Sequence, residues 1–73
     1  MKPVYFSRHA LEKILKEDLA EEDAIKAIRE GKIVREGGCK LKACANLKKG
    51  TIIVVCADYP DHVKVITVIR RRG

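Results

Sequence analysis

Two histidines, three cysteines and a set of clustered basic side chains are the groups in this 73-residue chain that could do chemistry. His9 and Arg8 follow Ser7, a strong helix N-cap type, so both fall in the first turn of a helix. The positive end of the helix dipole disfavours an imidazolium, which leaves a neutral ring able to take a proton or meet a phosphate. The same position also suits a histidine packed against a sheet edge. His62, after Pro60 and Asp61, reads as an exposed turn residue. Cys39, Cys44 and Cys56 contain no Cys-x-x-Cys pair, and in one strand Cys39 and Cys44 point to opposite faces, so no metal site is expected. The odd count argues against a disulfide as well. Cys39 and Cys56 read as small buried hydrophobes. Cys44 would share a face with Lys40 and Lys42, a cationic setting for a thiol. No cofactor is expected.

The basic residues are unevenly spread. Residues 1–31 hold 6 basic and 7 acidic side chains, and residues 32–73 hold 10 and 3, so the formal +6 lies wholly in the second half. Such a surplus points to an anionic partner, although lysines on edge strands also suppress aggregation. Arg35, Lys40, Lys42, Arg70 and Arg71 are candidate phosphate contacts, and the run continues through Arg72. Tyr5, Phe6 and Tyr59 are few aromatics for a base-stacking platform. No stretch is long and apolar enough to span a membrane, and Met1-Lys2-Pro3-Val4 leads into no signal-peptide core, so a cytoplasmic chain is expected. Absence of Gln, a single Asn and abundant Glu, Lys and Arg resemble a thermophile's composition.

The elements that position these groups follow from the hydrophobic period. Lys2 to Phe6 is an edge strand or extended lead-in. A first helix runs from about Arg8 to Glu17, with Ala10, Leu11, Ile14 and Leu15 as its apolar stripe. Asp18 and Glu21 read as a capping box for a second helix, which turns Ala24, Ile25 and Ile28 inward and stops at Gly31. Beyond Lys32 the period falls to two. Strands are predicted over 32–36, 39–47, 51–57 and 63–71, with turns at Gly37-Gly38, Lys48–Gly50 and Tyr59–His62. The expected fold is α+β, with two helices on one face of an antiparallel meander of about four strands, all in one domain. A turn over Lys48–Gly50 pairs Leu41 with Ala57 and Ala43 with Val55. Ile52, Val54 and Cys56 then join Lys40, Lys42 and Cys44 on the uncovered face, apolar at its centre and basic at its rim. Such a face suits a nucleic acid or a second copy of the chain.

Three segments carry a resemblance. Phe6-Ser7-Arg8-His9-Ala10, Asp18-Leu19-Ala20-Glu21-Glu22-Asp23 and Val65-Ile66-Thr67-Val68-Ile69 are similar to a small prokaryotic family placed near the RelE/ParE-like toxins. Leu19-Ala20 stands where Gly-Ile-Ser/Thr is usual, and Ile69 where Tyr is common. The resemblance implies a RelE-like fold and an RNA-directed activity: RelE-like toxins are endoribonucleases, some ribosome-dependent, restrained by an antitoxin protein, and ParE-like relatives inhibit gyrase. It assigns His9 and Thr67 to family positions. The expected function is an RNA-binding toxin-type domain with metal-independent endoribonuclease chemistry. His9, Thr67 and Arg70 are the candidate catalytic residues, and Arg8, Arg35, Lys40, Lys42 and Arg71 the candidate RNA contacts. The rival is a non-catalytic module that uses the uncovered face for a homodimer or an antitoxin-like partner.

Overall fold

Ser7 starts the first helix, α1 (Arg8–Lys16), as its type predicts: its Oγ accepts from the Ala10 N–H at 3.0 Å. The same hydroxyl donates to the Ile66 carbonyl at 2.9 Å, and the Ser7 N–H donates to the Val65 carbonyl at 2.9 Å, so the helix start is tied to the last strand. These contacts come from a computed structural model that describes residues 2–71; Met1, and Arg72 of the basic run, lie outside the described residues. Around α1 the chain forms β1 (Val4–Phe6), α2 (Glu21–Glu30), β2 (Lys32–Gly37), β3 (Lys40–Leu47), β4 (Gly50–Asp58) and β5 (Val63–Arg71).

The link between the helices departs from the expected capping box. Leu19 N–H donates to the Ile14 carbonyl at 2.9 Å and Asp18 N–H to the Leu15 carbonyl at 3.2 Å, the paired bonds of a Schellman stop with Asp18 at φ 56°. Asp18 therefore ends α1 and does not begin α2. The N-cap of α2 is Ala20, whose N–H donates to Asp23 Oδ2 at 2.9 Å; Ala20 has no side-chain oxygen to complete the box. Gly31 follows α2 as expected but in extended backbone. It is needed for space, because a Cβ there would lie 2.3 Å from the Cys44 carbonyl oxygen.

The sheet has five strands in the order β1-β5-β4-β3-β2, and β1 pairs parallel with β5. The antiparallel meander is present, but the lead-in adds a fifth strand and makes the sheet mixed. The chain leaves β1 through both helices and three strands before β5 lies beside it. The core is one cluster: Ala10 and Ile14 of α1 and Ala24 and Ala27 of α2 meet Leu41, Ala43, Ile52, Val54, Cys56, Val63, Val65 and Val68. Alanines at the contact let the helices lie close to the strands. Leu15 of the expected stripe instead faces solvent at 80% exposure.

The β3–β4 register corrects the expected face assignment. Leu47 pairs with Gly50 across a two-residue loop, Lys48-Lys49, and Gly50 has φ 123°. The expected loop held three residues, and that one extra residue slips the register by one. Leu41 pairs with Cys56 and Ala43 with Val54. Ile52, Val54 and Cys56 consequently face the helices and are fully buried, and Thr51, Ile53, Val55 and Ala57 occupy the uncovered face. Burial pushes the Cys56 thiol up to about 11, helped by the Asp58 carboxylate. Cys39, expected to be buried, is exposed in the β2–β3 turn.

Candidate nucleic-acid interface

Strand register aligns the uncovered face in rows. One row reads Lys40, Ala57, Lys64 and Tyr5 across β3, β4, β5 and β1. The next reads Val34, Lys42, Val55 and Thr67, and the third Lys32, Cys44, Ile53 and Ile69. Asn46, Thr51 and Arg71 form a fourth. An irregularity in β5 makes Ile66 the extra residue opposite the Val55–Cys56 step, so Val65 and Val68 both face the core. The face thus carries Ile53, Val55 and Ile69 at its centre, with Lys32, Lys40, Lys42, Lys64 and Arg71 around them. Glu36 brings a carboxylate to it, 3.3 Å from Lys42 Nζ.

The predicted residues divide between two sides. Lys40, Lys42, Thr67 and Arg71 share the open face. Arg8 and His9 are exposed in the first turn of α1. Because Ser7 is bonded to Val65 and Ile66, that turn begins beside the irregularity at Ile66, the residue before Thr67. Arg35 and Arg70 lie on the helix side. Arg70 Nη1 donates to the Glu17 carbonyl at 2.7 Å and its Nε to the Lys49 carbonyl at 2.9 Å, which clamps the end of α1 to the β3–β4 loop. Arg35 Nη2 lies 3.3 Å from Asp58 Oδ2, and Lys2 Nζ bonds the other carboxylate oxygen. The Lys2 hydrogen bond, backed by Arg35, holds the Asp58 carboxyl below its ordinary value against the opposing pull of desolvation. These groups rim a cleft of about 250 Å³ floored by Ile28, Leu41 and Val63.

Lys32 and Lys64 belong to the open face although neither stands out in the sequence as a contact. Their signal was the alternation of β2 and β5, which sets parity but does not say which parity faces the helices. The aromatic residues are also better gathered than their number suggests. The His62 ring stacks on Tyr59 at 4.8 Å between centroids and meets the Tyr5 edge at 5.5 Å. Its Nδ1 lies 2.8 Å from Asp61 Oδ1, a contact that holds the Asp61 carboxyl below its ordinary value. Parallel pairing of β1 with β5 builds this cluster at one end of the open face. Among the described residues no group of three or more His, Cys, Asp and Glu side chains is arranged to hold a metal ion.

Two helices on one face of a five-stranded mixed sheet, with a basic opposite face, define an α+β domain with a free sheet surface. Residues 6–70 match the family described as "Domain of unknown function (DUF4258)", and the chain belongs to that family. No curated protein and no solved structure gives a significant match. No helix among the described residues is long and apolar enough to cross a membrane.

Proposed function

We propose that the chain is a RelE-like, toxin-type RNA-binding domain that lays single-stranded RNA across its open sheet face. The observation that carries this reading is the face itself, where Lys32, Lys40, Lys42, Lys64 and Arg71 surround an apolar strip whose exposed members are Val34 and Ile69. Lysines track phosphates, and a broad sheet surface accommodates unpaired bases, with Tyr5 offering one exposed ring. The finer reading is metal-independent cleavage. His9 takes the proton of a 2′-hydroxyl, the 2′-oxygen attacks the adjacent phosphorus, and the 5′-oxygen leaves with a proton from solvent. Thr67 positions the substrate, and Arg71, two rows further along the face, contacts a neighbouring phosphate. Arg70 is already committed to two backbone carbonyls, so in this reading it supports the site from behind.

Anisotropy of a labelled single-stranded RNA across salt concentrations tests the binding. Affinity should fall with salt, with a log–log slope of roughly −0.7 for each phosphate contacted. Joint replacement Lys40→Glu and Lys42→Glu should weaken it at least about tenfold and flatten that slope. Unchanged affinity in that variant sinks the assignment of the face. Cleavage in excess chelator should disappear in His9→Ala, and persistence there sinks the role of His9. The second reading, a non-catalytic module that binds an antitoxin-type protein on the same face, is favoured by Ile66 and Ile69 at 37% and 40% exposure. It predicts a salt-insensitive protein complex and no RNA affinity.

A further inference from the structure

The two edges of the sheet are unlike each other. β1 is three residues long and follows Pro3, features that blunt an edge. β2 at the opposite edge has six residues, all exposed, with Ile33 at 40% and Val34 at 46%. It contains no proline, and its one irregularity, which leaves Glu36 without a partner in β3, falls near its end, so Lys32 to Arg35 remain regular. Its charges, Lys32, Arg35 and Glu36, are of both signs. Like charges would keep another strand away; a mixed set can select one.

From this edge we infer that the chain forms a homodimer by antiparallel pairing of β2 with β2 of a second copy. A two-fold axis normal to the sheet keeps the helices of both copies on one side and centres the register on a residue. Centring on Arg35 sets Arg35 opposite Arg35. Centring on Ile33 sets Lys32 opposite Val34 and leaves the charges without partners across the seam. Centring on Val34 sets Lys32 of each copy opposite Glu36 of the other, Val34 opposite Val34 on the open face, and Ile33 opposite Arg35 on the helix side. Of these three registers it alone pairs opposite charges, and it does so twice per dimer. The Lys42 contact already holds the Glu36 carboxylate on the open face, the side to which Lys32 belongs. The stem of Arg35 can cover Ile33. The product is a continuous sheet of twice five strands whose basic open faces are contiguous. An RNA could then cross both copies, but the dimer stands on the β2 edge and not on RNA binding.

Sedimentation of the full chain without RNA, from about 10 µM to about 1 mM, tests this, since a seam of one strand pair is a small interface. The mass should rise from 8.2 kDa toward twice that value. Lys32→Glu alone and Glu36→Lys alone each turn two attractions into two repulsions and should weaken dimerisation about tenfold. The double variant, Lys32→Glu with Glu36→Lys, restores opposite charges across the seam and should recover the wild-type constant. Circular dichroism of each variant checks that the monomer is folded. A wild-type chain that stays monomeric overturns the proposal and leaves the edge bare or for a different protein. A dimer indifferent to the single reversals, or one the double variant fails to rescue, overturns it too and places the contact elsewhere. RNA affinity does not enter these readouts, so loss of the RNA-binding reading leaves the result standing.

Discussion

Arg70 and Arg71 are adjacent in the chain, yet a strand sends neighbours to opposite faces, and their roles separate accordingly. Arg70 satisfies the Glu17 carbonyl at the end of α1 and the Lys49 carbonyl in the β3–β4 loop. Truncation removes the donor of the part-buried Glu17 carbonyl, whereas water can replace it at the exposed Lys49 carbonyl. A charge-assisted bond of this kind contributes about 1.5–3 kcal/mol where it is shielded. Arg70→Ala should therefore lower the thermal midpoint by several degrees, and Arg70→Lys should not restore it, because one ammonium lacks the fork that reaches both acceptors. Arg71→Ala should leave the melt nearly unchanged and weaken RNA binding in the anisotropy assay. Equal melts for the two alanine variants would remove the distinction. The alternation of β3 made Lys40, Lys42 and Cys44 legible as a set. The sides of Arg35 and Arg70 were not legible, because parity alone does not say which face the helices cover.

At the scale of elements, turns decided what periodicity could not. Ile52 to Cys56 is apolar without interruption, so β4 satisfies either register and its facing depends on the loop before it. Gly50 belongs to the strand because its φ of 123° closes a two-residue loop, and that detail turns Ile52, Val54 and Cys56 toward the helices. β1 joined the sheet because of a parallel pairing far along the chain, for which a three-residue segment carries little local signal. The start of α1, the Tyr59–His62 turn and β5 followed directly from Ser7, Pro60 and the alternation after Val63. Asp18 is legible as a helix-boundary residue but not which side of the boundary it takes, because aspartate suits both an N-cap and a left-handed helix stop. Two substitutions test these joints by chemical denaturation. Asp18→Gly relieves a left-handed backbone and should stabilise by about 0.5–1 kcal/mol. Gly31→Ala drives a methyl into the Cys44 and Ala27 carbonyls and should destabilise by about 1–3 kcal/mol. A destabilised Asp18→Gly would mean that its side chain contributes more to the Schellman stop than its backbone costs.

For the molecule as a whole, electrostatics and attachment meet at two carboxylates. Asp58 joins Lys2 before β1 to Arg35 of β2, and Asp23 joins the start of α2 to Lys49 between β3 and β4 at 3.2 Å. The Ala20 N–H first, and then Lys49, hold the Asp23 carboxyl below its ordinary 3.8, as Lys2 and Arg35 do for Asp58. A carboxyl whose value is lower folded than unfolded adds stability that is fully present above the unfolded value and is lost as pH falls through the folded one. The window therefore opens below about pH 4. Over the same range ten acidic side chains lose their charge while sixteen lysines and arginines keep theirs, so the positive surplus grows as the two joints release. Repulsion among the lysines of the open face then adds to the loss. Thermal melts should show the midpoint falling steeply below about pH 4, and added salt should recover part of it at pH 3 by screening. Asp58→Asn should lower the neutral-pH midpoint and flatten the acid limb, since its ionised form is then missing throughout. A midpoint at pH 3 equal to that at pH 7 would show that neither the paired carboxylates nor the unbalanced charge governs this fold.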